Sequence, residues 1–77
     1  KTRVAHVIHE LYLLFGVENS KTFEPPVNRK DISELADVTP ETVSRAIAEF
    51  KKNKQLEVKG ASFSILDLEF FQGDNDN

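Results

Sequence analysis

Residues 28–54 read NRKDISELADVTPETVSRAIAEFKKNK, two helical patterns interrupted by a short break. Asn28 is a strong helix N-cap, and Asp31 falls in the first turn, where the helix dipole favours a carboxylate. Ile32, Leu35 and Ala36 then form one narrow apolar stripe. The pattern stops at Asp37-Val38-Thr39-Pro40. Proline suits the first position of a new helix, with Thr39 before it as cap. The second helix is predicted from Pro40 to about Lys54, with Val43, Ala46, Ile47 and Phe50 inward. Two helices joined by so few residues must cross steeply, which makes residues 28–54 a helix-turn-helix.

Upstream, Val4, Val7, Ile8, Leu11, Leu14 and Phe15 repeat at helical spacing, predicting a helix over residues 3–15 capped by Thr2 and ended by Gly16. Residues 16–27 form a connector. Pro25-Pro26 excludes helix and central strand there, while Thr22, Phe23 and Val27 allow short extended pieces. Downstream, Leu56 and Val58 alternate with Glu57 and Lys59, Gly60-Ala61-Ser62 turns the chain, and Phe63 and Ile65 alternate with Ser64. This is a β-hairpin over residues 56–66. Residues 67–71 read either as a short capped helical turn or as an extension of the strand. The expected fold class is therefore α+β: a winged helix-turn-helix with three main helices and a C-terminal hairpin wing. It fills residues 1–71, and residues 72–77 form a disordered acidic tail.

The chain's 77 residues allow one core and no more. Hydrophobic residues make up 39% and charged residues 30%, the balance of a globular domain rather than a disordered or membrane chain. No apolar run approaches the ~20 residues that span a bilayer. The absence of cysteine excludes disulfides and thiolate metal sites within this segment and fits a cytoplasmic location. The net charge is −3, but Asp67, Glu69, Asp74 and Asp76 all follow the last basic residue, Lys59; residues 1–66 carry ten basic and nine acidic side chains, a net +1. Binding to phosphate depends on local potential, so the total does not exclude DNA.

The outward face of the second motif helix carries the functional signal. Glu41, Ser44, Arg45 and Ala48 fall at i, i+3, i+4 and i+7, opposite the Val43–Ile47–Phe50 ridge. In the DNA major groove, arginine donates twice to guanine, glutamate accepts from cytosine, and serine serves either kind of partner. A glutamate facing DNA is repelled by phosphates, so it fits only where it gains a base contact. Base reading is expected from Glu41, Ser44 and Arg45. Contacts to the DNA backbone are expected from Asn28, Arg29, Lys30, Thr39, Thr42, Lys51, Lys52 and Lys59, with Lys54 nearby. Free backbone N–H groups near Asn28 and Arg29 could also hold a phosphate.

These residues also resemble a known family. Arg29-Lys30-Asp31-Ile32, the turn ending in Thr39, and Glu41-Thr42-Val43-Ser44-Arg45 are similar to the DNA-binding domain of the Crp/Fnr superfamily of bacterial transcription regulators. Leu56-Glu57-Val58-Lys59-Gly60 with Phe63-Ser64-Ile65 resembles that family's wing, and Arg3-Val4-Ala5 the start of its leading helix. The resemblance covers about residues 2–66. It implies that Glu41 and Arg45 read a G·C step and that Ser44 adds the base contact of the Fnr-like branch. Pro40 stands where the cyclic-AMP-receptor branch has a base-reading arginine, which implies a TTG-containing half-site rather than the TGTGA type. Asp37 departs from the glycine found in many helix-turn-helix turns. The resemblance further implies a C-terminal fragment of a longer regulator, whose sensor domain and dimerisation helix lie elsewhere. Its partners would be double-stranded DNA, a second copy of itself, and RNA polymerase, with no cofactor in this segment and no membrane.

Other readings compete with this one. The Glu41–Arg45 spacing alone fits a solvated ion pair, and a winged helix can serve as a protein–protein interaction module. The lysines late in the second helix also fit a helix end stabilised by its dipole. His6, His9 and Glu10 lack the H-E-x-x-H order and a distant third ligand, so no metal is expected. No nucleophile–base grouping or glycine-rich phosphate loop is present, and no enzyme is expected. Phe15, Phe50 and Phe63 are expected in the core. Phe70 and Phe71 either fold onto the domain or dock on the missing sensor.

Overall fold

The computed structural model describes residues 3–72. The proposed Thr2 cap and tail residues 73–77 lie outside them. In chain order the elements are α1 (Arg3–Phe15), β1 (Thr22–Phe23), α2 (Arg29–Ala36), α3 (Pro40–Lys52), β2 (Leu56–Lys59), β3 (Ser62–Ile65) and α4 (Leu68–Gln72). The described residues thus form four helices and one antiparallel sheet with strand order β1-β3-β2. This is a winged helix-turn-helix, with one more strand and one more helix than the expected three helices and hairpin.

Caps set the limits of the two motif helices. At α2, the Asp31 N–H donates to Asn28 Oδ1 at 2.9 Å, and the Asn28 N–H donates to Asp31 Oδ2 at 3.0 Å. Two otherwise orphaned donors are satisfied reciprocally. The turn to α3 needs one left-handed residue, and Asp37 supplies it at φ 59°, ψ 46°. Its N–H donates to Glu34 O at 3.3 Å and the Val38 N–H to Ser33 O at 2.9 Å, closing the helix end. Aspartate tolerates this conformation better than most residues, so the absence of glycine does not distort the turn. Thr39 Oγ1 then accepts from the Thr42 N–H at 3.1 Å, with Pro40 at the first helical position.

The end of α3 differs from expectation. The helix stops at Lys52, and Lys54 takes the left-handed conformation at φ 59°. The Gln55 N–H reaches back to Phe50 O at 2.8 Å and the Lys54 N–H to Lys51 O at 3.1 Å. This closure favours glycine, which has no Cβ to crowd the following carbonyl. Lys54→Gly should therefore raise the unfolding free energy by about 0.5–1 kcal/mol after the greater freedom of glycine in the unfolded chain is subtracted. A urea midpoint that stays in place or falls would contradict this.

The core lies between α1, the two motif helices and the sheet. Val4, Ala5, Ile8 and Leu11 of α1 meet Ile32 and Ala36 of α2, Val43, Ile47 and Phe50 of α3, and Leu56 and Ile65 of the hairpin. Three expectations fail here. Leu14 is 71%, Phe15 42% and Leu35 61% exposed. The last turn of α1 runs past the elements that cover Leu11, so helical spacing alone leaves Leu14 and Phe15 in solvent. On α2 the buried face is rotated toward Ser33, which is 3% exposed. Its hydroxyl donates to Lys30 O at 2.6 Å, so burial leaves no polar group unsatisfied.

The third strand comes from the connector. Phe23 pairs in register with Phe63, and Thr22 Oγ1 shares a 2.8 Å hydrogen bond with Ser64 Oγ across the same pairing. Tyr12 meets the Phe23 ring edge-on at 5.6 Å, tying the connector to α1. Residues 67–71 resolve as the helical alternative. Asp67 Oδ1 accepts from the Phe70 N–H at 3.2 Å, and α4 includes Gln72, which was expected in the tail. Phe50 packs edge-on against Phe70 at 5.5 Å and Phe71 at 5.3 Å. Phe71 is buried, so it is spent on this domain and not held for docking.

Candidate nucleic-acid interface

The core fixes which side of α3 faces outward. Val43, Ile47 and Phe50 are at most 2% exposed. At about 100° per residue, Lys52, Arg45 and Glu41 lie nearest the direction opposite their mean, Ala48 and Glu49 lie about 50° to either side of it, and Ser44 stands at the flank beyond Ala48. All six residues of this strip are exposed. Arg45 Nη2 donates to Glu41 Oε2 at 2.7 Å, with the two side chains 76% and 72% exposed. Such a pair contributes only about 0.3–0.5 kcal/mol. It orients the guanidinium along the face, yet opens at little cost when a better acceptor arrives.

Thr39 and Thr42 are exposed at the N-terminus of the same helix, their hydroxyls 2.9 Å apart. The positive end of the helix dipole makes this a favourable place for phosphate oxygens. The corresponding end of α2 is changed by its own cap. The Asn28 N–H, expected to be free for a phosphate, is taken by the Asp31 carboxylate. That carboxylate also opposes an anion beside Asn28. The Arg29 and Lys30 side chains, both exposed, therefore carry most of the attraction at this end.

The wing and α2 come together. Arg29 and Asn28 line one cleft with Val27, Ile32, Phe63 and the turn residues Gly60 and Ala61. Gly60 has φ 58°, as the first residue of this two-residue hairpin turn requires, and Lys59 is exposed beside it. The late lysines separate. Lys52 shares the strip with Arg45, whereas Lys51 and Lys54 line a different cleft with Leu56, Glu57 and Leu66.

A further link was not anticipated from the sequence. Arg3 Nη1 lies 3.5 Å from Asp37 Oδ2 and 3.4 Å from Asp37 O, joining the start of α1 to the helix-turn-helix turn. Both side chains are largely exposed, so the pair adds little stability. On α1, His6 Nε2 and Glu10 Oε2 are 3.9 Å apart, and among the described residues no group of three His, Asp or Glu side chains gathers as a metal site. No helix among them is long and apolar enough to cross a membrane.

The model of the Crp-like helix-turn-helix domain matches residues 2–72. The chain belongs to this family. This Crp-like domain superposes on reduced, ligand-free CprK with TM-score 0.74 and 28% identity, over 91% of this chain and 35% of that one. It is also similar to the imidazole-bound CO-dependent transcription factor CooA from Carboxydothermus hydrogenoformans, at TM-score 0.72 and 24% identity over 91% and 34% of the two chains. The catabolite activator protein of Thermus thermophilus gives TM-score 0.72 and 17% identity over 91% and 30%. At these lower identities the likeness shows the fold alone. The Crp-like domain spans about a third of the length of these proteins. No curated relative matches it. Its family is that of the Crp-like helix-turn-helix domains, and its fold is the one shared with these proteins.

Proposed function

We propose that the domain binds duplex DNA sequence-specifically by laying α3 in the major groove, with Glu41, Ser44 and Arg45 at base edges. One observation carries this reading. The core lies on one side of α3, and an exposed acceptor and guanidinium, with a hydroxyl at their flank, lie on its solvent face within the first two turns. The major groove admits one α-helix, and N-terminal residues of a recognition helix reach the bases. Thr39 and Thr42 at the start of α3, Lys52 farther along it, Arg29 and Lys30 on α2 and Lys59 on the wing are exposed and suit phosphates. Asn28 and Lys51 are weaker candidates, the first because of its cap and the second because it faces the other cleft. A protein-contact module would instead place large apolar or aromatic anchors on this surface; the outward strip of α3 has nothing apolar larger than Ala48.

The share of the neighbouring structures that the chain spans supports reading it as the effector domain of a longer bacterial regulator, acting in the cytoplasm. Sensing and dimerisation would then belong to parts outside residues 1–77, and no cofactor is needed within them. A homodimer would set two copies of α3 in successive major grooves about 34 Å apart. RNA polymerase would be a further protein partner.

The reading is tested by measuring duplex affinity across a range of salt concentrations. Log affinity should fall linearly with log salt. Lys52→Ala should weaken all sequences alike and flatten that slope by about one unit. Affinity independent of salt would contradict DNA binding, and an unchanged slope would remove Lys52 from the phosphate contacts.

A further inference from the structure

We infer that the Ala48 methyl group reads the C5-methyl of a thymine, one or two base pairs beyond the base met by Arg45. This rests on the base-reading assignment of α3 and adds an apolar contact to it.

The geometry singles out this residue. Ala48 follows Glu41 by seven residues, so it points within about 20° of the same direction and lies between the directions of Ser44 and Arg45. It is exposed, about 130° around the helix from the mean direction of the buried Val43, Ile47 and Phe50. Ala48 sits near the middle of the Glu41–Ser44–Arg45 face, and with that face turned to the bases the helix backbone comes nearest to the floor of the groove there. Glu41, Arg45 and Lys52 can reach past it, but alanine places a bare methyl there. Among the described residues of the strip it is the one apolar side chain.

The chemistry then selects the partner. Of the four bases only thymine presents a methyl group in the major groove, and alanine is among the side chains that contact it. A longer polar side chain at this position would hold the helix away or require a partner of its own. Along the axis, Ala48 lies about 4.5 Å beyond Arg45 and about 10.5 Å beyond Glu41. With about 3.4 Å between base pairs, the thymine falls on the side of the Arg45 base away from the one met by Glu41. It is distinct from any base that the Ser44 hydroxyl meets by hydrogen bonding.

The test begins with duplexes that the full chain selects from random sequence at low salt. Each thymine of the selected site is replaced singly by deoxyuridine, which removes only the methyl. One replacement should lower wild-type affinity about fourfold, the value of burying one such group. In Ala48→Gly that thymine-to-uracil ratio should fall to one, while Ser44→Ala should keep it. Comparing two DNAs within each variant cancels any uniform loss caused by glycine in a helix. In the wild-type complex, the Ala48 methyl protons should also show a nuclear Overhauser contact to that thymine methyl, a readout that needs no variant. The inference is overturned if no deoxyuridine position matters, if the effect survives Ala48→Gly or disappears in Ser44→Ala, or if the contact is missing. Arg45→Ala separates the two levels. If the guanine preference depends on Arg45 but none of the methyl effects appears, the Ala48 contact alone fails; if no preferred site emerges, base reading fails with it.

Discussion

Replacing Phe50 with alanine should lower the unfolding free energy by about 3–5 kcal/mol. A chain of this length has only about 4–12 kcal/mol in total, taking about 0.05–0.15 kcal/mol per residue, so the loss is a large fraction of the whole and at the low end of that range brings the variant to its unfolding midpoint. The effect is large because one ring serves three helices. Phe50 is 2% exposed, lies on the core side of α3, and is gripped edge-on by Phe70 and Phe71 of α4, which itself packs on α1. Truncation leaves a cavity that two aromatic rings cannot fill without abandoning each other. Urea unfolding followed by circular dichroism checks this. A midpoint shift equivalent to less than about 1 kcal/mol would show that α4 is not a structural part of the fold.

Arg45→Ala should have the opposite profile. The side chain is 76% exposed and its pair with Glu41 contributes a few tenths of a kcal/mol, so stability should change by no more than about 0.5 kcal/mol. Affinity for the preferred DNA should nevertheless fall by about 1–3 kcal/mol, with preference relaxed at one base pair. The comparison of magnitudes decides what the pair is for. An exposed ion pair cannot account for a loss of that size, whereas a two-bond contact to guanine can. A stability loss matching the affinity loss would instead make Arg45 a scaffold residue.

Much of this was legible in the sequence because the relevant signals are local. Asn28 with Asp31, Thr39 with Pro40, and the Gly60 turn each specify backbone geometry within four residues. The Val43–Ile47–Phe50 ridge fixes the face of α3 and so fixes which side chains are left outside. Asp37 stands where many helix-turn-helix turns have glycine, and it takes the left-handed conformation of that position at φ 59°. What the sequence did not show depends on what lies beside an element. Leu14 and Phe15 keep the core spacing but have nothing packed over them. Leu35 loses its place to Ser33, whose hydroxyl is satisfied by its own helix. The two-residue strand β1 has almost no periodicity of its own; it exists because Thr22 and Phe23 meet Ser64 and Phe63 across a long separation. Lys54 gave no warning, since lysine is not a usual left-handed residue. Within the candidate site, the capped N–H of Asn28 and the separation of Lys51 from Lys52 became visible only with coordinates.

Selection of duplexes from a random pool, run in parallel with the wild-type chain and Arg45→Ala at equal low salt, addresses the outward face of α3 most directly. Wild type should enrich one short guanine-containing motif, and Arg45→Ala should enrich the same motif with the guanine position degenerate. Identical motifs from both proteins, or no motif from wild type despite salt-dependent binding, would mean that this face does not read bases.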